Sequence, residues 1–213
     1  MMQMQKIKKL CLSRRQFQVI NGEVGQWLGD GAALFAVPDE LHIIPSALPA
    51  MYDLTGKQVD DCTWNIKTVE QLGFAGILLT DTEPGDVLLH EVPGSLIVAG
   101  ERLEMLYSAD NNVSLLVEAD ELAPLDKYTE RRYYARRNGN GWAVVCKNGY
   151  AVVAYILPWR VMGDTIRDTI DLMRTCLGKQ LRSQECKEEA TEADIVEELK
   201  AAFGEPEEEN YGI

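Results

Sequence analysis

The chain has 213 residues, 46% hydrophobic and 26% charged, with 34 acids against 21 bases and a formal net charge of −13. That suits one large domain or two small ones with a proper core rather than a disordered chain. The acidic total excludes a protein whose whole surface grips DNA, and the longest apolar run, residues 151–157, is far short of the roughly 20 residues that span a bilayer.

The N-terminus carries Lys6, Lys8 and Lys9, and no apolar stretch of signal-peptide length follows them, so a soluble, cytoplasmic protein is expected. Residues 1 to about 126 read mainly as short strands. Segments 17–20, 24–28 and 33–37 come first, with Asn21-Gly22 as a hairpin signal and 29–31 as a second turn. Segments 63–66, 76–80, 87–91, 96–99, 103–107 and 113–118 follow, with single helical turns at 68–72 and 120–125.

The strongest local pattern lies near residue 150. Segments 142–147 and 150–157 are β-rich and joined by Asn148-Gly149, the preferred pair for a type I′ turn. The second is apolar at every position from 151 to 157, which predicts a central strand covered on both faces. Residues 164–182 then form an amphipathic pattern, with Asp164 as N-cap and Ile166, Ile170, Met173, Leu177 and Leu181 as its stripe. The predicted fold is α+β: mostly antiparallel short strands, one long C-terminal helix packed on the sheet, and a mobile acidic tail. Composition divides the chain into a strand-rich region at 1–110, an α+β region with hairpin and helix at 111–184, and the tail at 185–213.

Charge is unevenly spread. Residues 185–213 hold eleven acids against Lys187 and Lys200, leaving 23 acids and 19 bases for the rest. Within the tail, Thr191 and Asp194 open a second helical pattern with Ile195, Val196, Leu199 and Phe203 as its stripe, and Gly204 and Pro206 end it. Ile195, Leu199, Phe203, Tyr211 and Ile213 are apolar anchors among acids, the composition of a partner-docking peptide; a plain solvating run is the other reading.

The opposite charge gathers at Lys127, Arg131, Arg132, Arg136, Arg137 and Lys147, interleaved with Tyr128, Tyr133, Tyr134 and Trp142. Arginine for phosphates and aromatic rings for base stacking suit single-stranded nucleic acid, which makes Arg131, Arg132, Tyr133, Tyr134, Arg136, Arg137 and Trp142 the candidate binding residues. Strand alternation puts Arg131, Tyr133 and Arg137 on one side and Arg132, Tyr134 and Arg136 on the other. An edge strand guarded by its charges is the competing reading.

Two resemblances bear on this. The acidic tail with its apolar tip, over about the last ten residues, resembles the layout of single-strand DNA-binding proteins, without their usual terminal residues; such a tail would compete for the arginine patch. Residues 113–161, a strand, a short helix at 119–122, three strands and then Pro158 and Arg160, resemble the closing half-domain of bacterial DNA sliding clamps. That implies a replication factor, but this chain continues past the final strand and is too short for three clamp domains.

Enzymatic signals are few. His90 and Glu91, with Asp81, Glu83 and Asp86 upstream, are the candidates for a metal-dependent hydrolase, and Pro84-Gly85 marks the same stretch as a turn. His42, between Leu41 and Ile43, reads as a structural histidine. No phosphate loop, dinucleotide fingerprint or nucleophile elbow occurs, so no cofactor is implied. The five cysteines, Cys11, Cys62, Cys146, Cys176 and Cys186, form no C-x-x-C pair and read as reduced thiols. The leading expectation is a non-catalytic interaction protein acting around nucleic acid, an accessory replication or phage-type mobile-element factor. A protein-docking adaptor working through the tail is the second.

Overall fold

The computed structural model describes residues 2–22, 25–38, 40–68, 85–139 and 141–159, and residues 1–161 fall in one compact unit. Its first element is helix α1 (Met2–Ser13). Met4, Ile7, Leu10 and Cys11 form a buried stripe at helical spacing. The lysines between them tether the helix: Lys8 Nζ donates to Tyr52 O, and Lys6 Nζ donates to Ala123 O at 2.8 Å. Arg15 takes φ 53° just past the helix, the left-handed residue that turns the chain into the first strand.

Ten strands follow among the described residues: β1 (Gln16–Gly22), β2 (Gly25–Gly29), β3 (Ala33–Ala36), β4 (Thr63–Thr68), β5 (Val87–Val98), β6 (Glu101–Ser108), β7 (Val113–Glu118), β8 (Arg131–Asn138), β9 (Gly141–Asn148) and β10 (Ala151–Ile156). Between β3 and β4 lie short helices α2 (Leu48–Met51) and α3 (Gly56–Asp61). Thr55 and Gln58 start α3 with a reciprocal capping box. Helix α4 (Ala119–Leu122) runs directly into a 3-10 turn at Ala123–Lys127.

The strands form one sheet in the order β4-β1-β2-β3-β10-β9-β8-β5-β6-β7. Every neighbouring pair is antiparallel except β1 and β4, which run parallel after the crossover through α2 and α3. β10 sits mid-sheet and is buried from Val152 to Ile156, as its unbroken apolar run predicts. One face of the sheet packs with α1 in a single core that includes Phe17, Phe35, Leu106, Leu125, Tyr133 and Ile156. On the other face Ile20, Trp27, Leu34, Val145 and Tyr155 form a second cluster.

The sheet also curls towards itself. Just past β10, Leu157 N donates to Ala32 O in the β2–β3 turn at 2.8 Å, and Trp159 N donates to Leu116 O of β7 at 2.7 Å. Three residues thus link the middle of the sheet to its last strand.

These findings correct the predicted architecture. The sheet is one large mixed sheet, and several strands are long, β5 at 12 residues above all. The segment expected as two strands is one because Pro93 and Gly94 are absorbed as an irregularity between Glu91 and Ser95, where no ladder donor is needed from proline. The helix packed on the described core is α1, at the opposite end of the chain from the expected one. No long C-terminal helix is seen among the described residues; the 164–182 segment lies outside them, as do the tail and the 76–80 strand.

Turn positions move slightly as well. The β9–β10 register pairs Asn148 with Ala151, so the turn residues are Gly149 and Tyr150 rather than Asn148 and Gly149. Gly149 takes φ +61° at the first of these, where a type II′ turn reserves a glycine.

Candidate nucleic-acid interface

β8 carries the arginine-tyrosine run, and it is an interior strand with β9 on one side and β5 on the other. The edge-strand reading is therefore set aside. Alternation along β8 splits the candidate residues between the two faces, and each face uses them differently.

Arg136 is only 1% exposed. Its Nε and Nη2 donate to Asp86 Oδ1 and Oδ2, both at 2.8 Å, and Lys147 Nζ donates to the same Oδ2 at 2.9 Å. Burial pushes the Asp86 carboxyl up, but hydrogen bonds and charge from Arg136 and Lys147 overcome this and hold it below its ordinary value. Lys147 also lies over the Tyr134 ring at 4.4 Å. These groups serve the fold's interior.

Arg131 is half-buried on the α1 face. Its guanidinium meets Asp126 at 3.1 Å and Glu91 at 3.3 Å, and lies 5.9 Å from the Tyr133 ring. Tyr133 is buried. At the far end of the β8–β9 hairpin, exposed Arg137 stacks on half-buried Trp142 at 3.8 Å, on the α1 side of the sheet.

A second solvent-open group lies at the other end of the hairpin. Arg132 is exposed, and Tyr150, thrust outward by the Gly149 turn, is 94% exposed. With Thr129, Glu130, Arg131 and Gly149 they line a groove of about 570 Å³. An exposed ring beside a guanidinium offers a stacking surface next to a phosphate partner. Sequence reasoning missed Tyr150; its place directly after Asn148-Gly149 was the available signal, because the second residue of a two-residue turn points away from the sheet.

Of the seven predicted binding residues, the structure brings Arg131 and Arg132 to this groove. Arg137 and Trp142 sit at the opposite hairpin end, and Tyr133, Tyr134 and Arg136 belong to the sheet. Ile195, Leu199, Phe203, Tyr211 and Ile213 lie outside the described residues.

The 81–91 region is divided too. Asp81 and Glu83 lie outside the described residues, Asp86 is bound by two cations, Glu91 pairs with Arg131, and His90 is exposed on β5 opposite Tyr107. Among the described residues no group of three or more His, Cys, Asp or Glu could hold a metal ion. His42, expected to be structural, is exposed. Cys146 is buried, and burial pushes its thiol up to about 12, as suits a small apolar core residue. No helix among the described residues is long and apolar enough to cross a membrane.

No family model matches this chain, and neither does any curated protein or solved structure.

Proposed function

We propose that the protein is a non-catalytic interaction protein that acts around nucleic acid, as an accessory factor in replication or in a phage-type mobile element. Its contact on the described surface is the groove between Arg132 and Tyr150. The observation that carries this reading is the 94% exposure of Tyr150 beside an exposed arginine. A large ring held out by a tight turn keeps its face free for stacking, and the backbone there is fixed by the β9–β10 pairing. The buried Arg136 and Lys147 take no part.

The test is binding of a fluorescent single-stranded oligonucleotide, followed by anisotropy across a salt series, by the full chain and by a version ending at Arg182. Tyr150→Ala should weaken binding by roughly 5- to 150-fold, the range of one lost base stack. Arg132→Ala should weaken it and lower the salt slope by about 0.7. Binding that strengthens on truncation would make the tail an internal competitor. No binding by either version overturns the reading.

A protein-docking role of residues 185–213 is the second reading, favoured by eleven acids surrounding the anchors Ile195, Leu199, Phe203, Tyr211 and Ile213. Deleting that segment should then abolish partner capture and leave thermal unfolding of the remainder unchanged.

A further inference from the structure

We propose that Glu121 is a proton-held latch on the seam where the curled sheet approaches itself, its neutral carboxyl keeping the seam closed. The seam is formed by the β2–β3 turn, the end of β7 with α4, and residues 157–159, which bond to both sides. At this point one guanidinium meets three carboxylates. Arg14 Nη2 donates to Glu118 Oε2 at 2.6 Å and to Glu121 Oε1 at 2.7 Å, while its Nε lies 3.0 Å from Asp30 Oδ2. The Asp30 side chain is fully buried and that of Glu121 is 2% exposed.

One guanidinium, itself 31% exposed, faces more negative charge than it can balance, and Glu121 is buried beside it, which favours a neutral Glu121 carboxyl. Asp30 Oδ1 accepts hydrogen bonds from Ala32 N at 3.0 Å and Ala33 N at 2.8 Å. Glu118 is 23% exposed and keeps contact with solvent. Glu121 is more buried than Glu118 and takes one backbone hydrogen bond, from Glu118, against the two at Asp30. Burial raises its carboxyl to about 8; Arg14 and a backbone hydrogen bond from Glu118 act against this, and the charges of Asp30 and Glu118 add to it.

The other charges around α4 are engaged elsewhere. In the following turn Asp126 binds Lys6 and Arg131, and on β6 Glu104 binds Arg102. Lys127 lies over the Tyr128 ring. Lys9 of α1 and Asp120 line a separate small cavity. The neighbouring Cys11 thiol is pushed far up by burial and by Asp30, and stays neutral.

The sign follows from linkage. An opened seam returns Glu121 to water, where it ionises near its usual value of about 4.3, whereas the closed seam holds the proton up to about 8. Between those values opening releases a proton, so each pH unit should make the open form about tenfold more populated. Above about 8 the dependence levels off.

Amide hydrogen exchange of the full chain, read at Leu157 and Trp159 from pH 5 to 9, tests this. Protection factors in the wild type should fall close to tenfold per pH unit up to about 8 and then flatten. In Glu121→Gln the slope should vanish, while Glu118→Gln should keep it. A direct readout needing no variant is the Glu121 side-chain carbon signal, which should titrate near pH 8. Wild-type protection that does not change with pH, a slope that survives Glu121→Gln, or a Glu121 signal that titrates in the ordinary glutamate range overturns the proposal.

Discussion

Arg136 and Asp86 are joined by two parallel hydrogen bonds of 2.8 Å each, at a position where the arginine is 1% exposed. Such a pair is costly to break from one side, although here Asp86 would lose the two hydrogen bonds from Arg136 and keep the one from Lys147. Arg136→Met should therefore lower the unfolding free energy by about 3 kcal/mol, the lower end for a buried pair broken from one side. Urea denaturation would measure it, and oligonucleotide binding by the folded fraction should be unchanged.

The same pair sets an acid limit. Since the folded Asp86 carboxyl lies below its ordinary value, its contribution is complete above about pH 4, the unfolded value, and is lost as pH falls through the folded one. Unfolding free energies of wild type and Asp86→Asn, compared from pH 6 to pH 2, should converge at the acid end.

Gly29 predicts a sharp contrast with another glycine. A methyl group there would lie 1.7 Å from Ala33 O, in the turn that also positions Asp30. Gly29→Ala should cost about 1–3 kcal/mol, since backbone must move to admit it. Gly56 on α3 has nothing within 4 Å of the same methyl, so Gly56→Ala should stabilise by about 0.4–1 kcal/mol. Thermal melts of the two variants should move in opposite directions.

The exposed ion pairs behave otherwise. Asp126 is 57% exposed between Lys6 at 2.8 Å and Arg131 at 3.1 Å. Asp126→Asn should cost under about 1 kcal/mol at low salt, and the difference should disappear in about 1 M salt, where charges are screened within roughly 3 Å.

Arg137 and Trp142 test whether cation–aromatic contact alone makes a binding site. Their 3.8 Å stack should contribute about 0.5–1 kcal/mol to stability. Arg137→Ala should leave oligonucleotide affinity within about twofold of wild type, while Arg132→Ala weakens it more. The reverse order would move the interface to the other end of the hairpin.

The sequence displays what local chemistry decides. The β7 segment 113–118 is legible to the residue, and β10 is legible because a strand buried on both faces needs no alternation. α1 escapes notice because its buried stripe, Met4, Ile7, Leu10 and Cys11, is interrupted by lysines whose partners, Tyr52 and Ala123, lie far along the chain. The arginine run misleads for the same reason. Nothing near Arg136 announces that Asp86, fifty residues away, will neutralise it, so a run that reads as one patch divides into interior ion pairs, a stacked pair and a small open groove.

The β3–β10 pairing has a consequence for how the chain is made. Phe35 faces Ala154 across it, so β4, β1, β2 and β3 leave the ribosome long before the strand that joins them to the remainder. Until β10 arrives, β3 is an open edge with an apolar sequence, Ala-Leu-Phe-Ala, able to pair with any passing strand. The nascent protein is therefore most vulnerable to misassociation during this interval, and slowing translation ahead of residue 151 would lengthen the exposure without changing the finished molecule.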